Sequence, residues 1–351
     1  MGAFSWDEWD RLLARSVFGT DDDNAVEDMV LRWVREAVGA GNSGSAARIV
    51  SWEISVGAVI GLEFGDGRKA ALKVWPGDSD QLLYGSTSLQ RAAQVRIQSA
   101  MAEAGYPAPR VLAGLAALGP GMAMLMAFDR SGEATDTRKP GVSEAMARGL
   151  AEFVSLASSH LGETDLPDWR VRPDEPLWPK PHNVLFDFEK TAAGAEWIDA
   201  IAAPARQRMK QAHSPLVVGH GDWSAKNMRM GEARTGQTGI AVVYDWDSVI
   251  RGPETFVVGA AAAHFPVTWE LPVPETPELG EMAAFVSAYE GARGRRFTDG
   301  DLEEIAAYAT FSRAYKARCE HCGDPERREW SGSSRERLWD TGGYSAAMLD
   351  G

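Results

Sequence analysis

The chain pattern predicts an α+β fold in two parts, a small N-terminal antiparallel sheet and a larger, mostly helical C-terminal part. Two observations carry that expectation. Apolar residues recur at helical spacing up to residue 40, switch to a period of two from residue 49, and return to helical spacing after residue 139. The 351 residues suffice for roughly two domains at about 150 residues each. The polar, Gly-containing stretch from Asp129 to Lys139 reads as the boundary. The expected division is therefore 1–128, with a helical extension over 1–46 and the sheet from 49, and 129–351.

Each element has its own reason. In residues 24–40, Val26, Met29, Val30, Trp33, Val34 and Val38 fall at helical spacing, with acids before them and Gly39 after. Val50, Trp52 and Ile54 alternate with polar residues, and 59–64 and 70–75 follow as further strands. Asp66-Gly67 supplies the turn between those two. The first connection, Ser55-Val56-Gly57-Ala58, is short and small enough for its backbone to approach a ligand closely. Leu89, Ala93, Ile97 and Met101 lie four apart in a helix over 87–104 that stops before Gly105-Tyr106-Pro107. Residues 110–115 and 122–128 are apolar runs of strand length. Beyond the boundary, 142–159, 195–211, 279–291 and 302–319 have helical spacing, and the Pro- and Trp-rich stretch 167–181 resists regular structure.

Composition narrows the classes of function. The apolar share of 44% and charged share of 25% are those of a globular protein. Lys and Arg number 36 against 50 Asp and Glu, and the resulting charge of -14 repels a phosphate backbone, so nucleic acid is not an expected partner. No apolar run is long enough to span a membrane, and the start, MGAFSWDEWDRLL, carries acid where a signal peptide needs base. Neither membrane nor export is expected. The two cysteines, Cys319 and Cys322, make no disulfide framework, which suits a reducing cytoplasm. With no second pair, Cys319-Glu320-His321-Cys322 also lacks the four ligands of a zinc site. Nothing calls for an obligate protein partner.

The segment 216–253, LVVGHGDWSAKNMRMGEARTGQTGIAVVYDWDSVIRGP, carries the chemistry. Two apolar strands, 216–218 and 240–244, end in carboxylates: Asp222 after the first, Asp245 and Asp247 after the second. Any one of them alone reads as ordinary loop chemistry. Together they form a pattern. His220-Gly221-Asp222, then Trp223-Ser224-Ala225-Lys226-Asn227, with Tyr244-Asp245-Trp246 downstream, resembles the motifs of the aminoglycoside phosphotransferase and choline kinase superfamily. It also resembles the protein-kinase set, in which the catalytic Asp and Asn are likewise five apart. The resemblance is anchored on 216–247 and extends more loosely over 49–300. It implies a bilobal protein-kinase-like fold and transfer of a phosphate from ATP, with Mg²⁺, to a hydroxyl of a small molecule.

On that resemblance, Asp222 orients the acceptor hydroxyl and takes its proton. A weak base within hydrogen-bond reach suffices, because the proton leaves late in a loose transition state. Asn227 and Asp245 are the metal ligands, one neutral and one charged oxygen, hard donors that suit Mg²⁺. Asp247 either adds a metal contact or caps the following turn, and His220 braces the loop. The lysine that pairs with nucleotide phosphates is Lys73, in Ala70-Ala71-Leu72-Lys73-Val74. A lysine within an apolar strand costs desolvation unless something anionic meets it, whereas on an edge strand it would guard against aggregation. The next helix has no acid between Leu89 and Ala102, so Gln94 occupies the place of the glutamate that would hold the lysine. Its amide accepts a hydrogen bond but does not neutralise charge. Ser55 and Gly57 in the first connection, and Met126 and Phe128 in the expected hinge whose backbone would read the adenine edge, complete the nucleotide set. A second departure is Gly252-Pro253-Glu254, where the family commonly has Gly-Asp-Pro.

The acceptor classes that the resemblance implies are aminoglycosides and other antibiotics, amino alcohols, and sugars. The catalytic loop and the stretch Pro107 to Leu112 look most like the antibiotic branch. The rival from another class is a catalytically silent kinase-fold binding protein, motivated by Gln94 and the Gly-Pro-Glu segment. Trp169, Trp178, Trp197, Trp269, Trp330 and Trp339 are available to wall a pocket, although a lone aromatic more often packs in a core.

Overall fold

The computed structural model describes residues 6–39, 46–77, 87–182, 186–232 and 238–350. Contacts divide the chain into two compact units, Met1–Glu103 with Ala108–Asp129, and Ala104–Pro107 with Arg130–Gly351.

The first unit opens with α1 (Glu8–Phe18) and α2 (Asp23–Val38). α1 lies within the expected helical extension over 1–46, though only the second helix was given its own span; it is set by a capping box between Asp7 and Asp10 and stopped by Gly19, at φ 74°. The strands β1 (Ala47–Ile54), β2 (Ala58–Phe64) and β3 (Lys69–Trp75) precede α3 (Ser88–Glu103), and β4 (Val111–Leu118) and β5 (Gly121–Ala127) follow it. They form one antiparallel sheet in the order β1-β2-β3-β5-β4. Alternation along β3 explains its two faces. Ala70, Leu72 and Val74 are fully buried in one cluster with Ile60, Leu62 and the α2 residues Val26, Val30 and Val34. Lys73 and Trp75 point to the opposite face, where Trp75 packs with Val95 of α3 and Met124 of β5. Because β3 is the middle strand, the edge-strand explanation of Lys73 does not apply. Gly67, at φ 82°, closes the β2–β3 turn, and its amide donates to Phe64 O at 2.9 Å.

The second unit begins with α4 (Val142–Leu156) and α5 (Glu196–Met209). Four short strands follow: β6 (Leu216–His220), β7 (Met228–Glu232), β8 (Thr238–Val243) and β9 (Val249–Pro253). β6 pairs antiparallel with β9, and β7 with β8. The helices α6 (Glu254–His264), α7 (Leu279–Arg293), α8 (Asp299–Gly323), α9 (Ser334–Thr341) and α10 (Ala346–Leu349) complete the unit. α8 is its central pillar, packed on α5, α6 and α9 and buried on most sides, with Ile305, Ala309, Ala314 and Ala317 wholly enclosed. No helix among the described residues is long and apolar enough to cross a membrane.

Glu254, in the segment that departs from Gly-Asp-Pro, starts α6 and is 2% exposed. Its carboxylate accepts from Tyr289 Oη at 2.7 Å, Arg293 Nε at 2.9 Å and Arg295 Nη1 at 3.0 Å. That network ties β9 and α6 to the end of α7, so the departure has a structural role. Breaking one partner of such a buried pair leaves charge uncompensated, at a cost of about 3 kcal/mol. Glu254→Gln should therefore lower the unfolding midpoint by several degrees and leave activity per folded molecule unchanged, as read by calorimetry and an assay on the same sample.

Candidate active site

The catalytic loop, 221–227, joins β6 to β7. Its backbone is fixed on two sides. Gly221 N donates to Ser248 O at 2.7 Å, while Ala225 N and Lys226 N donate to Phe265 O and Val267 O at 2.9 and 2.7 Å. His220 is buried, and Asp222 N donates to its Nδ1 at 3.2 Å. Nδ1 is therefore the unprotonated nitrogen, and Nε2–H donates to Tyr244 O at 3.1 Å. A neutral imidazole thus braces the loop against the end of β8.

Asp222 is half-buried and surrounded by donors. Its Oδ2 accepts from Lys226 Nζ at 2.8 Å and Asn227 Nδ2 at 3.0 Å, and Ser224 Oγ stands 3.4 Å from Oδ1. Burial pushes the Asp222 carboxyl up, but the Lys226 ammonium and the hydrogen bond from Asn227 outweigh it and hold the group below its ordinary value. Burial likewise lowers Lys226, against the larger combined pull of Asp222, Asp245 and Glu275, so its ammonium is held above the ordinary lysine value. Both groups are charged at neutral pH.

Tyr244 N donates to Asn227 O at 2.7 Å, which ties the approach to Asp245 to the end of the catalytic loop. Asn227 Nδ2 also donates to Asp222 O at 2.8 Å. With its amide nitrogen committed to Asp222, Asn227 turns its oxygen the other way, as a neutral donor atom. Asp245 adopts the left-handed region, φ 59° and ψ 45°, which few non-glycine residues occupy and which is stored at functional sites. Ser248 holds it there, donating through N to Asp245 O at 2.9 Å and through Oγ to Oδ2 at 2.7 Å. Among the described residues no three His, Cys, Asp or Glu side chains gather into a metal cage. Asn227 and Asp245 would offer one amide oxygen and one carboxylate, hard donors of the kind that suit Mg²⁺.

The nucleotide residues expected from sequence lie in the first unit. Lys73 and Arg91 both lie over the Trp75 ring, at 5.9 and 5.2 Å from its centre. Gln94 is buried and its Oε1 accepts from Arg91 Nη1 at 3.1 Å. Gly57 is required by the sheet itself, since a Cβ there would come within 2.6 Å of Val74 O, and Ser55 N donates to Gly57 O at 2.7 Å. Met126 lies in β5 opposite Ala71, and Phe128 N donates to Lys69 O at 3.4 Å.

Sequence reasoning missed Lys226 and Arg91. Only Lys226 had a signal, its position four residues after Asp222. Of the tryptophans singled out, Trp197, Trp330 and Trp339 gather around the Arg327 guanidinium, Trp178 packs on Phe311, and Trp169 on Phe256. Trp269 is 73% exposed, and its ring centre is 4.8 Å from Lys226 Nζ.

The model of the phosphotransferase enzyme family matches residues 66–307. No curated protein matches the chain. Among solved structures, an amicoumacin kinase in complex with AMP-PNP, Ca²⁺ and its antibiotic has 12% identity and a TM-score of 0.60, over 90% of this chain and 92% of that one. A microcompartment-associated aminopropanol kinase has 14% identity and a TM-score of 0.55, over 90% and 99%. A Plasmodium vivax ethanolamine kinase has 13% identity and a TM-score of 0.51, over 96% and 94%. The chain belongs to the phosphotransferase enzyme family, within the aminoglycoside phosphotransferase and choline kinase superfamily of small-molecule kinases with a protein-kinase-like fold.

Proposed function

We propose that this kinase is a cytoplasmic, ATP- and Mg²⁺-dependent O-phosphotransferase that acts on a hydroxyl of a small antibiotic-like molecule. The observation that carries the reading is the Asp222 carboxylate, kept ionised between Lys226 and Asn227 at 2.8 and 3.0 Å, with Asn227 bonded to the backbone beside Asp245. Asp222 orients the acceptor hydroxyl. The hydroxyl oxygen forms a bond to the γ-phosphorus as the bond to the β,γ-bridging oxygen breaks, ADP departs, and the hydroxyl proton passes to Asp222. Asn227 and Asp245 would hold Mg²⁺, which supplies charge neutralisation on the phosphates when bound. Lys226 keeps the Asp222 carboxylate aimed, and His220 holds the loop that carries both.

The likeness of the catalytic loop and of Pro107 to Leu112 to the antibiotic branch supports an antibiotic acceptor, with aminoglycosides as the sequence expectation. The amicoumacin kinase is a neighbour of the same fold that supports the same class. The presence of Lys73, Asp222, Asn227 and Asp245 together argues against a silent binding protein. The test is incubation of the protein with ATP, Mg²⁺ and a panel of hydroxyl compounds, read by mass spectrometry for a phosphate adduct. Absence of both an adduct and any stabilisation by Mg·ATP would remove the kinase reading.

Lys73 supplies a separate prediction. A charged hydrogen bond to phosphate contributes about 1.5–3 kcal/mol, a factor of roughly ten to a hundred. Lys73→Met should raise the KM for ATP or reduce kcat on that scale. Gln94→Glu should be tolerated, because it gives Arg91 and Lys73 a charged partner on the same face. Initial rates over a range of ATP concentrations check both.

A further inference from the structure

The surface beside Asp222 bears on the acceptor's chemistry, and the argument rests on the kinase reading above. Residues 265–278 join α6 to α7 and are anchored along their length. Phe265 O and Val267 O accept from the catalytic loop, Pro274 O and Thr276 O accept from Arg138 at 2.7 and 3.1 Å, and Thr276 Oγ1 donates to Gly332 O at 3.1 Å. Trp269 rides on this fixed loop with its side chain open to solvent. An indole so exposed contributes little to a core. Its ring centre is nevertheless 4.8 Å from Lys226 Nζ, which is itself 2.8 Å from Asp222 Oδ2. Those two steps place the ring within one small molecule's length of the base.

Charge then limits what can rest there. Glu270, next to Trp269, is held by Arg229 Nη2 through both oxygens at 2.9 Å. Glu275 is paired with Lys316 at 3.3 Å, and Asp222 with Lys226. The two acids of this loop that lie nearest Trp269 in sequence, Glu270 and Glu275, are thus already matched by cations. The indole face attracts cations, but the Lys226 ammonium already holds that place, so a polycationic acceptor would meet like charge at the platform and would need carboxylates that this loop does not leave free. A neutral aromatic compound needs only the ring face, and stacking supplies the affinity.

We propose that Trp269 is the acceptor platform and selects a neutral, aromatic hydroxyl compound over a polycationic one. The test uses the full chain with ATP and Mg²⁺. Chloramphenicol and 4-nitrophenyl glucoside are the neutral probes, and kanamycin and choline the cationic ones. Adduct formation is followed by mass spectrometry and acceptor binding by calorimetry. The neutral aromatic probes should be phosphorylated with kcat/KM at least tenfold above kanamycin. Trp269→Ala should raise the acceptor KM at least tenfold without a matching change in the KM for ATP, and Trp269→Phe should recover most of that loss. Phosphorylation of kanamycin or choline alone, or an unchanged acceptor KM in Trp269→Ala, overturns the proposal and leaves the kinase reading standing. Failure of both neutral probes to bind or react also overturns it, and stabilisation by Mg·ATP in the same samples then decides whether the kinase reading falls with it.

Discussion

Asp222→Asn lowers kcat by 10²- to 10⁴-fold, about 3–5 kcal/mol of barrier, while the Kd for Mg·ATP changes little. The substitution keeps the shape and one acceptor oxygen but removes the charge that aims the hydroxyl and takes its proton. In this site it also exchanges a carboxylate for an amide opposite Lys226 Nζ, at 2.8 Å from the present Oδ2, so the loop loses its ion pair with the chemistry. The bland alternative is that Asp222 merely closes the loop after β6. That alternative predicts a stability loss of about 1 kcal/mol with activity per folded molecule retained. Measuring kcat and the unfolding midpoint on one preparation separates the two, and a less stable but fully active variant would sink the assignment.

The candidate site was legible in sequence because its residues are local. Asp222, Lys226 and Asn227 lie on one short loop, and Asp245 follows the next hairpin. Lys73 stood out because a period of two put a cation into an apolar strand, and its placement in the middle strand removes the edge-strand explanation. The α+β class was legible from the change of period. α6 was not, because its residues are apolar all round and give no periodic signal. β7 and β9 escaped because five residues are too few for alternation to show. Trp269 could be named only as one of six tryptophans, since its place beside Lys226 depends on residues 265–267 meeting the loop 221–227 through backbone bonds that leave no mark on side-chain pattern. Gln94 is a milder case. Its position on the helix was read from the register, but the direction of its amide toward Arg91 was not.

The metal side of the site makes the second large prediction. Asp245→Asn abolishes turnover and weakens Mg·ATP binding by tenfold or more while the fold survives. Survival is expected because the residue sits in the left-handed region, which asparagine tolerates as well as aspartate does, and because an amide oxygen can still accept from Ser248 Oγ. What is lost is the negative charge, and with a neutral amide also at Asn227 this pair would offer no anionic oxygen to the cation. Ligand linkage sets the size of the effect. Nucleotide at a hundred times its Kd stabilises a protein by about 2.7 kcal/mol, and a tenfold weaker Kd removes about half of that. A thermal titration with Mg·ATP should therefore show a clearly smaller upward shift in Asp245→Asn than in the parent, with the two unliganded midpoints close together. Undiminished stabilisation by Mg·ATP would take Asp245 out of the site, whereas a fallen unliganded midpoint would mean that the carboxylate, through Ser248, serves the turn and not the metal.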